Sequence, residues 1–121
     1  MNIEIDAAEL AGITQTLATR ALDSGSVFRT ALDAGIAVFA FPAKTELLIG
    51  IGVHRDRLDA YTIENALSRR FALPQRYACW LPALFADGGF YVMQRSRRSD
   101  TGDARVPTTA EIGDALALFA E

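Results

Sequence analysis

One histidine and one cysteine are the chain's whole supply of imidazole and thiol, and they limit what it can catalyse. His54 follows an apolar run and precedes Arg55-Asp56-Arg57-Leu58-Asp59, which places it at a loop mouth. A general base or an activated nucleophile needs a second group within hydrogen-bond reach. No spacing around His54 supplies one, and it reads as a surface loop residue. Cys79 lies among Tyr77, Ala78, Trp80 and Leu81. Such surroundings raise a thiol's pKa and keep it inert, so Cys79 is expected to be a small apolar filler. A lone cysteine rules out a disulfide within the chain, and one His with one Cys cannot furnish the usual zinc ligand sets.

The other motifs have plainer explanations too. Gly50-Ile51-Gly52 lacks the third glycine of a dinucleotide loop and follows a run of strands rather than a βαβ unit. Asp56 and Asp59 suit loop solvation and helix capping better than a metal pair. Arg95, Arg97 and Arg98, with Arg69 and Arg70 earlier in the chain, make a basic cluster, but Asp100 and Asp103 dilute its field. The chain is therefore expected to be no enzyme, with no catalytic residue, no metal and no cofactor.

Function must then come from surfaces, and surfaces from the elements that build them. At 121 residues the chain is expected to form one domain over 1–121, long enough to bury roughly two thirds of its unfolded surface. Half of the residues are hydrophobic, 22% are charged, and the formal net charge is -3. A nucleic-acid-binding domain shows a basic footprint, and this composition has none overall. Met1 to Leu10 has neither a basic n-region nor an apolar h-region, and no apolar run approaches the ~20 residues of a spanning helix. A cytoplasmic protein without membrane insertion is expected.

Asp6 and Glu9 stand in capping-box register ahead of Leu10, Ile13, Leu17 and Ala21, a helical stripe that Gly25 ends. Ser26 to Leu32 and Ile36 to Phe41 flank Asp33-Ala34-Gly35, a hairpin. From Glu46 to His54, Leu47, Ile49, Ile51 and Val53 alternate with Leu48, Gly50 and Gly52, a strand with one bulky and one bare face. Asp59 is the expected cap of a second helix carrying Ile63, Leu67 and Phe71 and stopped by Pro74. Two strands follow within Gln75 to Ser96, turning at Asp87-Gly88-Gly89, with Pro82 marking an edge or a bulge. Segment 96–107 is charged and aperiodic and is expected to be a mobile loop. Thr108 and Glu111 cap a last helix bearing Ile112, Leu116 and Phe119. The fold class is α+β, an antiparallel sheet with three helices in the order α-β-β-β-α-β-β-α.

Leu32, Leu48, Tyr91 and Met93, with Phe28, Phe39, Phe41 and Trp80, are more large apolar groups than one side of a small sheet needs. Phe90-Tyr91-Val92-Met93 points apolar groups to both faces, so something must cover the second.

In element order, length and acidity the chain resembles the class I type III secretion chaperones. The resemblance runs from the first helix to the last and is most suggestive over the late hairpin, Ala78 to Ser96. It implies a cytoplasmic dimer that binds the N-terminal segment of a secreted effector or regulator and keeps it competent for export, a role tied to virulence. The dimer would be a homodimer or a pair with another small chaperone, and nucleotide is not needed for binding. By that resemblance the dimer contact falls on Ile63, Leu67, Phe71, Trp80 and Leu84. The client patches fall near Leu10, Ile13, Leu17, Phe28, Phe39 and Phe41. The alternative is a small-molecule-binding or regulatory α+β module, with a pocket lined by Trp80, Tyr77 and His54.

Overall fold

Asp6 opens the first helix. Its carboxylate accepts the Ala8 N–H at 3.3 Å, and α1 runs Ala7–Ser24 until Gly25, at φ 71°, turns its own N–H back to the Ala21 carbonyl at 2.8 Å. Leu10, Thr14, Leu17, Ala18 and Ala21 form the buried stripe, and Ile13 sits half-buried at its margin. Gly12 is exposed, and a Cβ there would meet nothing within 4 Å, so no close packing requires it.

The computed structural model describes residues 5–32, 35–58 and 60–120. After α1 come β1 (Phe28–Ala31), β2 (Ile36–Pro42), β3 (Glu46–Val53), α2 (Ala60–Ala72), β4 (Leu81–Leu84), β5 (Phe90–Arg97) and α3 (Thr109–Phe119). A single 3-10 turn at Arg55–Arg57 precedes α2. The strands make one antiparallel sheet in the order β1-β2-β3-β5-β4. The chain is α+β with the element order expected from its sequence, and Pro82 sits on an edge strand, where a missing N–H is tolerated.

Local chemistry moves several boundaries. Leu32 donates its N–H to the Ile36 carbonyl at 2.7 Å, and Gly35 takes φ 80°, closing the first hairpin. Asp33 and Ala34 of that turn lie outside the described residues, as does Asp59, the expected cap of α2. Residues 75–79, expected as strand, form turns instead. The Tyr77 N–H bonds back to Leu73 at 3.3 Å and the Trp80 N–H to Tyr77 at 3.0 Å, which uses backbone groups a ladder would need. Within segment 96–107, Ser96 and Arg97 end β5, and Arg98 bridges Ala104 around a turn closed by Ser99 N–H to the Asp103 carbonyl at 2.7 Å. The Arg98 guanidinium donates to the Gly102 and Ala43 carbonyls, both at 3.1 Å.

The register divides the sheet into two faces. Val38 stands opposite Ile51, Ala40 opposite Ile49, and Ile51 opposite Val92, so these share one side. That side packs under α1 and α3 with Leu10, Leu17, Ile112, Leu118 and Phe119. The α3 cap is the capping box read from sequence: Thr108 Oγ1 accepts the Glu111 N–H at 3.1 Å, and the Glu111 carboxylate accepts the Thr108 N–H at 2.9 Å. Among the described residues the opposite side carries no helix; Phe39, Tyr91, Leu48, Phe85 and Met93 form a separate small cluster there.

Candidate functional site

The helix-free face is shaped by the two glycines of β3. Gly50 stands opposite Phe39 and Met93, and Gly52 opposite Ala37 and Tyr91. A Cβ at Gly50 would run into the Phe39 ring, and one at Gly52 into the Phe90 carbonyl and the Tyr91 ring. The bare half of β3 is therefore where neighbouring aromatic rings lie down. Phe85 stacks on Tyr91 at 4.6 Å between ring centroids, and Phe39 meets Phe85 at 5.5 Å and Tyr91 at 5.6 Å. Beside them opens a cleft of about 250 Å³ walled by Val27, Phe41, Leu48 and Met93. Val27 and Phe41 are exposed at its rim.

One charged side chain reaches this cleft. Arg29 extends across the face from β1, donates from Nη2 to the Tyr91 hydroxyl at 3.1 Å, and brings Nη1 to 3.9 Å from the Asp87 carboxylate. Burial pushes the Tyr91 hydroxyl's pKa up; Arg29 opposes that shift and the Asp87 charge adds to it. Toward the other end of the face, Arg95 clamps Glu46 with two bonds of 2.7 Å, which hold the Glu46 carboxyl below its usual range.

Further exposed apolar side chains lie on α2 and on β4. The basic residues of α2 are turned inward to dock it. Arg69 donates to the Ala117 carbonyl at 3.1 Å, to Leu118 at 3.2 Å and to Ala120, so it caps the carbonyl end of α3. Arg70 holds the Trp80 carbonyl at 2.9 Å, and in the turn beyond the helix Arg76 pairs with Asp114 at 2.8 Å. Beside Glu64 and Ser68, α2 leaves two large apolar side chains outside, Leu67 at 43% exposed and Phe71 at 88%, followed by Leu73. On β4, Leu84 stands opposite Phe90 on the helix side and is 67% exposed, whereas Leu81 stands opposite Met93 and is exposed on the helix-free side.

Of the residues expected at a dimer contact, Leu67, Phe71 and Leu84 are at the surface, while Ile63 is half-buried against the core. Trp80 is fully buried, its indole N–H donating to the Glu111 carbonyl at 2.8 Å, and belongs to the core. The residues expected to hold a client are divided between the two faces. Leu10 and Leu17 are core, and Ile13 and Phe28 pack partly buried against it. Phe39 and Phe41 belong to the helix-free side, with Phe39 buried in the aromatic cluster and Phe41 42% exposed. Sequence reading missed Phe85, Val27 and Arg29; the signal was there in Leu48-Gly50-Gly52, whose missing side chains call for rings from elsewhere.

The pocket foreseen between Trp80, Tyr77 and His54 does not form, because Trp80 and Tyr77 are both core residues. His54 caps the 3-10 turn, its Nδ1 accepting the Asp56 N–H at 3.2 Å. Cys79 is partly buried, and burial pushes its thiol's pKa up. Beside it Gln94 is buried with neither its amide nitrogen nor its oxygen bonded to any described residue. Among the described residues no group of three or more His, Cys, Asp or Glu side chains is placed to hold a metal ion, and no helix is long and apolar enough to cross a membrane.

No protein-family model matches the chain, and neither a curated protein nor a solved structure matches it significantly.

Proposed function

We propose that this chain is a non-enzymatic binding protein of the type III secretion chaperone kind, which pairs through α2 and holds the N-terminal segment of a secreted effector or regulator unfolded in the cytoplasm. The observation that carries the proposal is the set of large apolar side chains that the chain's own helices leave in water, Leu67 and Phe71 on one helix and Leu84 on the edge strand. Fully burying one such side chain is worth about 1.5–3 kcal/mol, so leaving several exposed is costly unless a partner covers them. The basic residues of α2 that would oppose a dry contact are already engaged by α3 and Trp80. An ordinary specific interface buries roughly 1,600 Å² in all, and ordering a disordered client offsets part of its gain.

The test is sedimentation of the purified chain at micromolar concentrations, with Leu67→Asp and Phe71→Asp beside it. A dimer, or a tight pair with a second small chaperone, is expected, and both variants should shift to monomer with an unchanged circular dichroism spectrum. A strict monomer that brings down no second chain from native lysate overturns the proposal. A second reading, a ligand-binding module, draws support from the cleft on the helix-free face, and ligand-dependent thermal stabilisation would mark it.

A further inference from the structure

We infer that the cleft on the helix-free face is a binding site for a medium-chain alkyl carboxylate, with the alkyl chain against Phe39, Leu48, Phe85 and Met93 and the carboxylate on Arg29. The inference does not depend on the secretion reading and concerns a different surface from α2.

Size comes first. An apolar cavity of about 150 Å³ is enough to take up benzene, so about 250 Å³ accommodates a flexible chain of about eight carbons. Chemistry comes second. Apart from Arg29 and the Tyr91 hydroxyl it holds, every side chain lining the cleft is apolar. A peptide backbone entering it would leave donors and acceptors unsatisfied, whereas an alkyl chain has none to lose. Charge comes third. A guanidinium matches a carboxylate with two parallel bonds, and among the described residues Arg29 has one short contact, to Tyr91, while Asp87 at 3.9 Å stands beyond hydrogen-bond distance. One cationic end on an otherwise oily trough calls for a ligand with one anionic end. The same geometry explains the glycines: the rings of Phe39 and Tyr91 fill the space over β3 only because it has no side chains at positions 50 and 52.

The chain has a built-in reporter, since its methionines are Met1 and Met93 and the second lines the cleft. With the full chain labelled at its methionine methyl groups, octanoate, octanol and octylammonium would be titrated below micelle-forming concentrations. Octanoate should shift the Met93 methyl resonance saturably, octanol should bind more weakly, and octylammonium should bind least. Arg29→Ala should weaken octanoate about tenfold, and Asp87→Asn, which removes the competing carboxylate, should tighten it. No saturable shift, equal binding of octylammonium, or octanoate binding unaffected by Arg29→Ala overturns the inference. The comparison of the three head groups uses the native chain and decides even if Arg29→Ala fails to fold. A failure here would leave the oligomeric state set by α2 untouched, so the two proposals fall separately.

Discussion

Replacing Gln94 by Met should make the protein more stable. Gln94 points from β5 to the helix-covered side, opposite Ile49, and is 3% exposed. Neither side-chain polar atom has a partner of good hydrogen-bond geometry among the described residues, and the one polar group beside it, the Cys79 thiol, interacts with it only as a weak partner. An amide buried without compensation costs about 1–3 kcal/mol on mutational scales. Methionine has nearly the same length and flexibility and can fill the same irregular space. Part of the gain is lost to imperfect packing, so a net stabilisation of about 1–2 kcal/mol is expected. For a domain of this size that corresponds to a rise in Tm of roughly 4–8 °C. Urea denaturation of both chains gives the free-energy difference, and the m-value shows whether the unfolded reference has moved. A loss of stability at unchanged m would mean that the amide is well bonded in solution, and the reasoning from its isolation would fail.

Two further predictions concern helices. Gly12→Ala in α1 should add about 0.5–1 kcal/mol, because the position is exposed and a Cβ there meets nothing; destabilisation in urea would show that something does pack on that turn. The cap of α3 should be acid-sensitive. Burial alone would raise the Glu111 carboxyl, but the Thr108 N–H at 2.9 Å and Arg105 at 2.7 Å outweigh it and hold the carboxyl below its ordinary value. A carboxyl lowered in the folded state stabilises above its unfolded pKa of about 4.3, and that contribution is lost as pH falls through the folded value. Glu111→Gln should therefore cost about 0.5–1 kcal/mol at pH 7 and progressively less below pH ~4, and a gap that stays constant down to pH ~3 would contradict this.

Local signals in this sequence translate directly into structure. Asp6 and Gly25 bound α1, Thr108 and Glu111 close their box, and the alternation of Leu47, Ile49, Ile51 and Val53 sets the buried side of β3. What the sequence hides depends on distant partners. Tyr77-Ala78-Cys79-Trp80 is apolar enough to pass for a strand, yet Trp80 is fixed by a carbonyl of α3 and by Arg70, contacts that no local pattern announces. Arg69 and Arg70 look like part of a surface cluster, but Arg69 ties α2 to the end of α3 and Arg70 ties it to the Trp80 carbonyl. The client residues were assigned by position along the chain rather than by parity. Phe28 stands opposite Ala40 and so faces the helices, whereas Phe39 and Phe41 sit one step out of phase and face away. Once the register is known, a single count separates the two groups. Phe85 could be placed only after the turn at Asp87 and Gly88 had folded it back onto Tyr91.

The proline on β4 also makes the two flanks of the sheet unequal as templates for another strand. Pro82 strips a donor from one flank of the sheet, while β1 at the far flank keeps its outward groups. Endless fibres grow when one flank of a molecule templates the opposite flank of the next. A β1-to-β1 union, by contrast, pairs like with like and closes on itself after two copies.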